Sequence, residues 1–271
     1  MPKNIYKKET IDTVDKLRLI DDSLFRLVAA DHAACQEILR NILDDDKLIV
    51  IGKPTPQYMI TSLEREVILD VLCRTSEGTY VNVEMQTGNH NDDERRTRFH
   101  AAAITTAKAK KGTEFKDIPD VIVIYITEYD ALKNDETVTF CGRYYKKHGE
   151  LVRANDGEAI YYANTAVKDN TAHTELLQLL LKRDPFDDPK FPALSERMRY
   201  YKGTEKGRQE MCTTVDNYAK DYARNVSILD AIKALRTVNI SEMRVKEVIM
   251  KQYGLTDEEA DDYMKQSVIQ S

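Results

Sequence analysis

The stretch Arg65-Glu-Val-Ile-Leu-Asp-Val-Leu-Cys-Arg-Thr-Ser-Glu-Gly-Thr-Tyr-Val-Asn-Val-Glu-Met-Gln86 decides the fold of this 271-residue chain. Val, Ile and Leu dominate its two halves, and the Ser-Glu-Gly sequence between them is typical of a turn, so we predict a β-hairpin. A three-residue loop with glycine in the left-handed position pairs Thr75 with Thr79, and therefore Asp70 with Glu84. The hairpin thus places two carboxylates opposite each other on one face.

The facing carboxylates of this hairpin should repel each other. Directly opposite Cβ atoms lie about 5 Å apart, and at an effective dielectric constant of 20 the repulsion is on the order of 3 kcal/mol. Such a pair favours a divalent cation, and oxygen ligands from Asp70, Glu84 and the main-chain carbonyl of Met85 suit Mg²⁺ or Mn²⁺. Because side chains alternate along a strand, Gln86 projects on the same face as Glu84. We therefore predict a metal site here, with Gln86 beside it.

The patterns around the hairpin are typical of an α/β fold. Before the hairpin they predict one or two helices over 24–43, followed by strands over 48–51 and 58–60 with a turn at 54–56 between them. After the hairpin they predict a helix over 93–111 and strands over 121–126, 138–145 and 159–163. From residue 174 onward they predict mostly helix, including separate helices over 205–223 and 228–236. The continuous β-branched run Val121–Ile126 indicates a strand buried on both faces. We predict a mixed-sheet domain over 1–190 and a helical C-terminal region over 191–271.

Composition and charge narrow the class of protein. With 42% hydrophobic and 32% charged residues, the chain is globular rather than fibrous or disordered. No apolar run approaches the roughly 20 residues of a membrane span, and the first residues lack the apolar core of a signal peptide, so we expect a cytoplasmic protein without a membrane partner. Its four cysteines include no Cys-x-x-Cys pair, which excludes a zinc ribbon and predicts reduced thiols.

The net charge of -6 does not favour general attraction to nucleic acid, so a polyanionic partner must meet a local patch. The most basic stretch, residues 95–116, has seven Lys or Arg against one acid. Arg95, Arg96 and Arg98 open this stretch just after the hairpin. We therefore expect these three arginines to contact phosphates of a polyanionic partner, although a solvated helix face is an alternative.

An Asp followed after about fourteen residues by Glu-x-Gln on a hairpin, and then by an Arg-rich helix, resembles the PD-(D/E)XK nuclease superfamily. The chain resembles more closely the PD-(D/E)XK nuclease family transposases, also described as recombination-promoting nucleases. The segments Asp22-Ser-Leu-Phe25, Val83-Glu-Met-Gln86, Arg95-Arg-Thr-Arg98 and Asp120–Ile126 carry this resemblance. It implies a restriction-endonuclease-like mixed sheet flanked by helices, with a helical C-terminal extension.

The resemblance also implies a chemistry and roles for individual residues. The activity would be a Mg²⁺-dependent endodeoxyribonuclease that hydrolyses phosphodiester bonds in mobile-element transposition or recombination. Asp70 and Glu84 would bind Mg²⁺, with Mn²⁺ as a substitute, and Asp22 would be the acid carried by the first helix. Gln86 stands where most members of the superfamily have Lys, and it can only orient the attacking water because an amide neither acts as a base nor carries charge. His100 stands where an aromatic Tyr is typical.

Several alternatives remain open at this stage. Asp22 could simply cap its helix, with Glu37 as a weaker substitute in the catalytic role. The whole chain could be a catalytically weak nuclease fold that acts as a DNA-binding or protein-interaction module. A third hypothesis is an unrelated α/β scaffold whose helical C-terminal region mediates oligomerisation, and a homo-oligomer formed through that region is an alternative for the nuclease as well.

Overall fold

The structure is a computed structural model that describes residues 8–60, 66–89, 91–238, 240–257, 259–261 and 263–264; side chains at 8, 57–60, 66–68, 218–219 and 221–222 are left out of the description. Its elements are α1 (Lys8–Lys16), α2 (Asp22–Ala29), α3 (His32–Leu43), β1 (Val50–Ile60), β2 (Glu66–Thr75), β3 (Tyr80–Gln86), α4 (Asp93–Lys108), β4 (Val121–Thr127), β5 (Val138–Cys141), β6 (Tyr144–Lys147), β7 (Glu150–Arg153), β8 (Glu158–Asn164), α5 (Ala172–Leu180), α6 (Pro192–Gly203), α7 (Glu205–Thr237) and α8 (Glu242–Tyr253).

Six strands form one mixed sheet in the order β1-β2-β3-β4-β8-β5. The hairpin β2–β3 is antiparallel, β4 lies parallel to both β3 and β8, and β5 closes the sheet antiparallel to β8. Helices flank the sheet and form the C-terminal part of the chain. This arrangement confirms the predicted α/β class with a mixed sheet and a helical C-terminal extension.

The central strand β4 is buried along almost its whole length, as its unbroken β-branched sequence predicts. It has a parallel neighbour on each side, and α4 packs on it as the crossover helix from β3. Leu72, Ala101, Ile104 and Val123 are buried together in the core between α4 and the sheet. The core therefore fixes α4 directly over the strands that carry the two predicted carboxylates.

The β2–β3 hairpin has the register that its turn sequence predicts. Val71 pairs with Val83, and Leu72 pairs with Asn82. At the turn, the N–H of Thr75 donates to the carbonyl of Thr79 at 2.9 Å, and Gly78 has φ of +98°. Glycine adopts this left-handed conformation without the steric cost that a side chain would add. One further step along the ladder places Asp70 opposite Glu84.

Four details of the sheet and helices differ from the sequence prediction. The turn predicted at Pro54-Thr-Pro56 is wrong, because β1 continues through it as an edge strand, where proline is tolerated. The strand predicted over 138–145 is divided into β5 and β6, and β7 was not predicted. Helix α7 is continuous over Glu205–Thr237, where two helices were predicted, since residues 224–227 contain no Gly or Pro to end it.

The chain divides into two compact units, one of residues 1–59 and 67–212 and the other of residues 60–66 and 213–271. The boundary predicted after residue 190 falls inside the first unit, because α6 packs on α3. Glu37 of α3 accepts the N–H groups of Ala193 and Leu194, both at 2.9 Å, and so caps the start of α6. A division of the chain into domains of separate function stays a prediction.

The second unit has a hydrophobic core of its own, formed by residues such as Ile228, Ile232, Val245 and Ile249. Gly254, with φ of +65°, ends α8 in the left-handed conformation. Beyond it, the N–H of Thr256 donates to the Glu259 carboxylate at 2.7 Å, and the N–H of Glu259 donates to Thr256 Oγ1 at 3.2 Å. This reciprocal pair is a capping box. Among the described residues, no helix has the length and apolar character needed to span a membrane.

Candidate active site

A row of side chains crosses the sheet on the face that α4 covers. Glu84 of β3 lies beside Tyr125 of β4, which lies beside Tyr162 of β8, and the hairpin register adds Asp70 at the other end of the row. Asp70 and Glu84 are both buried, with only 6% and 8% of their side chains exposed. Carboxylates this deep are costly unless they are paired or bind a cation, so the row is a candidate site.

Helix α4 places polar side chains over this row at intervals of three or four residues. Thr97 Oγ1 lies 2.7 Å from the hydroxyl of Tyr162, and the hydroxyl of Tyr125 donates to Asp93 Oδ1 at 3.0 Å. His100 Nδ1 lies 3.5 Å from Glu84 Oε1. The helix therefore holds the tyrosines in place and brings an imidazole to the carboxylate of Glu84.

Asp70 is held by groups from two different elements. Its Oδ1 accepts from Nε of Arg26 at 3.2 Å and also from Nη2, and its Oδ2 accepts the N–H of Met85 at 2.9 Å. Arg26 lies on α2, whereas Met85 lies on the partner strand of the hairpin. The two contacts fix the orientation of the Asp70 carboxylate from opposite sides.

Glu84 is oriented mainly through its Oε1. Nδ2 of Asn82 donates to it at 2.7 Å, and the main-chain N–H of Asp70 donates at 3.3 Å. Asn82 and Glu84 are two residues apart on β3, so they lie on the same face of the strand. The two carboxylates are thus linked by a main-chain contact, with the N–H of one residue facing the side chain of the other.

The charge of Glu84 contributes to a raised pKa at two neighbouring acids, Asp70 and Asp22. Burial, with the charges of Glu84 and Asp22 acting in the same direction, raises the pKa of Asp70 to about 7, while Arg26 and the Met85 N–H act to lower it. Burial also raises the pKa of Asp22, and the charge of Glu84 contributes to that rise. Like charges at close range disfavour ionisation. The electrostatics of the site therefore favour an added positive charge.

Asp22 lies at the outer edge of this cluster. It is the first residue of α2, with 47% of its side chain exposed, and its Oδ2 lies 3.7 Å from Nη2 of Arg26. The capping position of the helix belongs instead to Asp21. Glu37, the weaker alternative for the catalytic role, has its carboxylate on the N-terminus of α6. The structure therefore brings Asp22 close to Asp70 and Glu84, whereas the carboxylate of Glu37 is used to cap the start of α6.

Gln86 ends β3, two residues beyond Glu84, and is partly buried. Its Nε2 donates to the carbonyl of Gly88, so the amide is turned toward the loop that leads into α4. The amide keeps its oxygen as an acceptor and a second N–H as a donor. These groups are the ones through which Gln86 would contact a bound water.

The three arginines of α4 differ in their surroundings. Arg95 and Arg98 are exposed, whereas Arg96 is partly buried and pairs with Asp92 at 3.2 Å. Arg96 also lies close enough to Tyr125 and Asp93 to affect them electrostatically. Arg95 and Arg98 are therefore available to a ligand in solution, while Arg96 is engaged in contacts within the chain.

Sequence reasoning missed Arg26 and Asn82 as partners of the two carboxylates, and it treated His100 only as a departure from a typical Tyr. Arg26 follows Asp22 by one helical turn, so its position on the same face of α2 was readable from the sequence. Its contact with Asp70 was not, because the two residues are 44 positions apart. Asn82 lies two residues before Glu84, so alternation along the strand puts it on the same face, but nothing in its spacing indicated a bond to Glu84.

A divalent cation fits the donor set of this site. Among the described residues, no group of three His, Cys, Asp or Glu side chains is arranged to hold a metal. Mg²⁺, however, is usually bound by only one or two carboxylates and keeps several waters. Asp70 and Glu84 supply two buried carboxylates whose mutual repulsion a cation would relieve. The residues that would hold Mg²⁺ are therefore these two.

A mixed sheet with flanking helices and an Asp/Glu pair on one hairpin is the architecture of a nuclease-type fold. The family model for PD-(D/E)XK nuclease family transposases matches residues 29–178, which is more than half of the chain. The chain belongs to this family, and its fold is the restriction-endonuclease-like one. No curated protein and no solved structure matches it. Asp22 and Arg26 lie before the matched range, whereas Asp70, Glu84 and Gln86 lie within it.

Proposed function

We propose that this protein is a Mg²⁺-dependent endodeoxyribonuclease that hydrolyses phosphodiester bonds in mobile-element transposition or recombination. The observation that carries the proposal is the pair Asp70 and Glu84, buried on facing strands with the pKa of Asp70 raised to about 7. Buried carboxylates are costly unless they are paired or bind a cation, and burial, Glu84 and Asp22 raise the pKa of Asp70 even though Arg26 pairs with it. Family membership supports the reaction class, and the buried pair supports a metal at the hairpin.

Asp70 and Glu84 would hold Mg²⁺, which when bound stabilises charge on the phosphate oxygens and makes water more acidic; Mn²⁺ is the expected substitute. Asn82 and the N–H of Asp70 keep Oε1 of Glu84 in a fixed position. Gln86 orients the attacking water through its amide and takes no proton from it. Arg26 balances the charge of Asp70 while the metal is absent.

The remaining roles concern the substrate. Asp22, at the exposed rim of the cluster, completes the acidic site from α2. Arg95 and Arg98 would contact backbone phosphates of DNA, and Arg96, held by Asp92, would support them. We infer a cytoplasmic location and self-association through the C-terminal helices from the sequence alone.

A second function, a catalytically weak nuclease fold that binds DNA or protein, is favoured by two observations. Gln86 replaces the Lys that is typical of the superfamily, and its amide already bonds the carbonyl of Gly88. In addition, the guanidinium of Arg26 already pairs with Asp70. A protein of this kind would bind DNA through the same surface without hydrolysing it.

Plasmid nicking over a series of Mg²⁺ and Mn²⁺ concentrations, with EDTA as the blank, tests the proposal. We expect the wild-type chain to nick supercoiled DNA only with metal, and Asp70→Asn and Glu84→Gln each to lower the rate by about a hundredfold or more. Glu77→Gln, at an exposed position in the turn of the same hairpin, is the matched control and should cleave like wild type. Binding without nicking at any metal concentration would favour the second function, and full activity of Asp70→Asn would contradict the proposed site.

A further inference from the structure

A two-stranded sheet stands apart from the main sheet in this fold. We define the basic ribbon as residues 143–153, which contain β6 and β7 paired antiparallel from Tyr144↔Arg153 to Lys147↔Glu150. The two strands are joined by His148 and Gly149, with φ of +53° and +93°. Two consecutive residues with positive φ form a tight hairpin turn whose twist matches the strands. The ribbon is therefore a well-defined arm of regular geometry.

The charge of this ribbon is opposite to that of the chain as a whole. It contains four Lys or Arg against one acid, Glu150, whereas the chain has a net charge of -6. Within the chain, Arg143 pairs with Asp156, and the guanidinium of Arg153 lies 4.4 Å from the ring centre of Phe140. Lys146 and Lys147 are exposed and form no ion pair within the part of the chain that the structure describes. The tip of the ribbon thus presents two cations to solvent.

Both faces of the ribbon also expose large apolar groups. Tyr144 and Leu151 are 50% and 69% exposed on one face, and Tyr145 is 52% exposed on the other. A two-stranded hairpin is marginally stable in water unless something packs against it. Scattered exposed side chains are common, but here they lie on both sides of one element together with its cations. This combination indicates a partner that is negatively charged and has surfaces for aromatic side chains.

We propose that the basic ribbon docks in the major groove of duplex DNA. This proposal rests on the proposed function and deepens it by naming a second contact with the substrate. The major groove is about 12 Å wide and admits a two-stranded β-ribbon, whose exposed tyrosines can contact base edges while Lys146 and Lys147 reach phosphates. A second copy of the chain fits less well, because ribbons of like charge repel and lysines on exposed edges oppose strand addition.

The position of the ribbon in the fold agrees with this role. The ribbon directly follows β5 in the chain, and β5 is an edge strand of the main sheet. Strand β5 lies three strand positions away from β3, which carries Glu84. Three strand spacings amount to about 14 Å, which is less than the roughly 34 Å of one helical turn of DNA. A single duplex is therefore long enough to contact the root of the ribbon and the candidate active site together.

Equilibrium binding without metal tests this proposal separately from cleavage. The measurement is fluorescence anisotropy of a labelled 30-base-pair duplex and of the matching single strand, in EDTA, from 50 to 200 mM salt. Lys146→Gln/Lys147→Gln should weaken duplex binding about tenfold and reduce the slope of log K against log salt by about 1.8, since each phosphate contact contributes about 0.9. Lys47→Gln/Lys53→Gln is the matched control. Those lysines are also exposed, but they lie at or near β1, on the opposite edge of the sheet.

The ribbon proposal is overturned if the ribbon variant binds duplex with wild-type affinity and slope, or loses no more than the control. It is also overturned if the wild type prefers the single strand, or if sedimentation shows that the variant changes only the oligomeric state. Circular dichroism should show an unchanged melting curve, since the substituted side chains are exposed. If the wild type binds no duplex in EDTA, the ribbon proposal fails, and the proposed function fails with it only if metal-dependent nicking is also absent. If it cleaves but the ribbon variant binds normally, only the ribbon proposal fails.

Discussion

Arg26 of α2 and Asp70 of β2 form an ion pair, with Nε of the guanidinium 3.2 Å from Oδ1 of the carboxylate. Nη2 of the same guanidinium lies 3.7 Å from Asp22, so Arg26 provides positive charge next to two of the three acids in the candidate site. The third, Glu84, faces the main-chain N–H of Asp70. In the absence of metal, α2, which lies outside the hairpin, thus supplies the positive charge next to Asp70 and Asp22.

Replacing Arg26 should therefore destabilise the metal-free protein. Arg26→Gln leaves Asp70 buried without its charged partner, and we expect a loss of about 1–3 kcal/mol in the free energy of unfolding at pH 7. Denaturant unfolding in EDTA measures this loss of stability. Added Mg²⁺ should stabilise the variant more than it stabilises the wild type. Arg199→Gln, which removes an exposed pair with Asp187, is the control and should stay within about 0.5 kcal/mol. An Arg26→Gln protein as stable as wild type would contradict this role.

The raised pKa of Asp70 predicts a pH dependence of stability in the metal-free protein. The pKa lies at about 7 in the folded state, against 3.8 for an unperturbed Asp. Between these values the folded protein holds a proton that the unfolded chain releases, so stability falls as the pH rises. Relative to Asp70→Asn, which cannot titrate, the wild-type free energy of unfolding should fall by at most about 1.4 kcal/mol per pH unit from pH 4 to 7. A constant difference between the two proteins would show that Asp70 has an ordinary pKa.

The hairpin was the part of the site that the sequence could predict, because its register depends on local information. A Ser-Glu-Gly turn with glycine at positive φ defines which residues face each other, and the structure has Thr75 against Thr79 as expected. The central strand β4 was predictable for a similar reason, since an unbroken apolar run requires cover on both faces.

The contacts around the hairpin depend on tertiary packing and could not be predicted in the same way. The bond from Arg26 to Asp70 requires α2 to reach the end of the sheet, and the position of His100 beside Glu84 requires α4 to lie across it. The β6–β7 ribbon was missed because strands of four residues carry little periodicity. Local sequence patterns thus predicted Asp70 and Glu84, whereas the packing of α2 and α4 determined which side chains contact them.

Asp22 and Glu37 are both acids on the N-terminal helices. Their surroundings predict that replacing Asp22 affects nicking, whereas replacing Glu37 affects stability. Asp22→Asn should slow metal-dependent nicking, by about tenfold or more, because Asp22 contributes charge to the site. Glu37→Gln should leave nicking unchanged but lower stability by about 1 kcal/mol, because it weakens the cap of α6. Nicking rates and thermal melting of the two variants check this. A nicking defect in Glu37→Gln at full stability would reverse the assignment.

The exposed arginines of α4 should contribute to DNA affinity without regard to sequence. Arg95→Glu/Arg98→Glu reverses two exposed charges just after the hairpin, and we expect binding to fall several-fold on unrelated duplexes, with a weaker salt dependence. Arg96 is left intact, since its pair with Asp92 stabilises the start of the helix. Lys47→Glu/Lys53→Glu gives the same change in net charge at the opposite sheet edge. Equal losses in both double variants would mean that only net charge matters.

Gln86 should matter less than a metal ligand. Asp70→Ala removes one of the two carboxylates that would hold Mg²⁺, so metal-dependent nicking should be abolished. Gln86→Ala removes only an amide that orients water, and we expect activity reduced by about tenfold. Gln86→Lys restores the residue typical of the superfamily and should retain at least the wild-type rate, because a lysine at the end of β3 faces the same acids. Nicking rates at saturating Mg²⁺ give the order Gln86→Lys, Gln86→Ala, Asp70→Ala. If Asp70→Ala cleaves faster than Gln86→Ala, the metal does not bind at the hairpin.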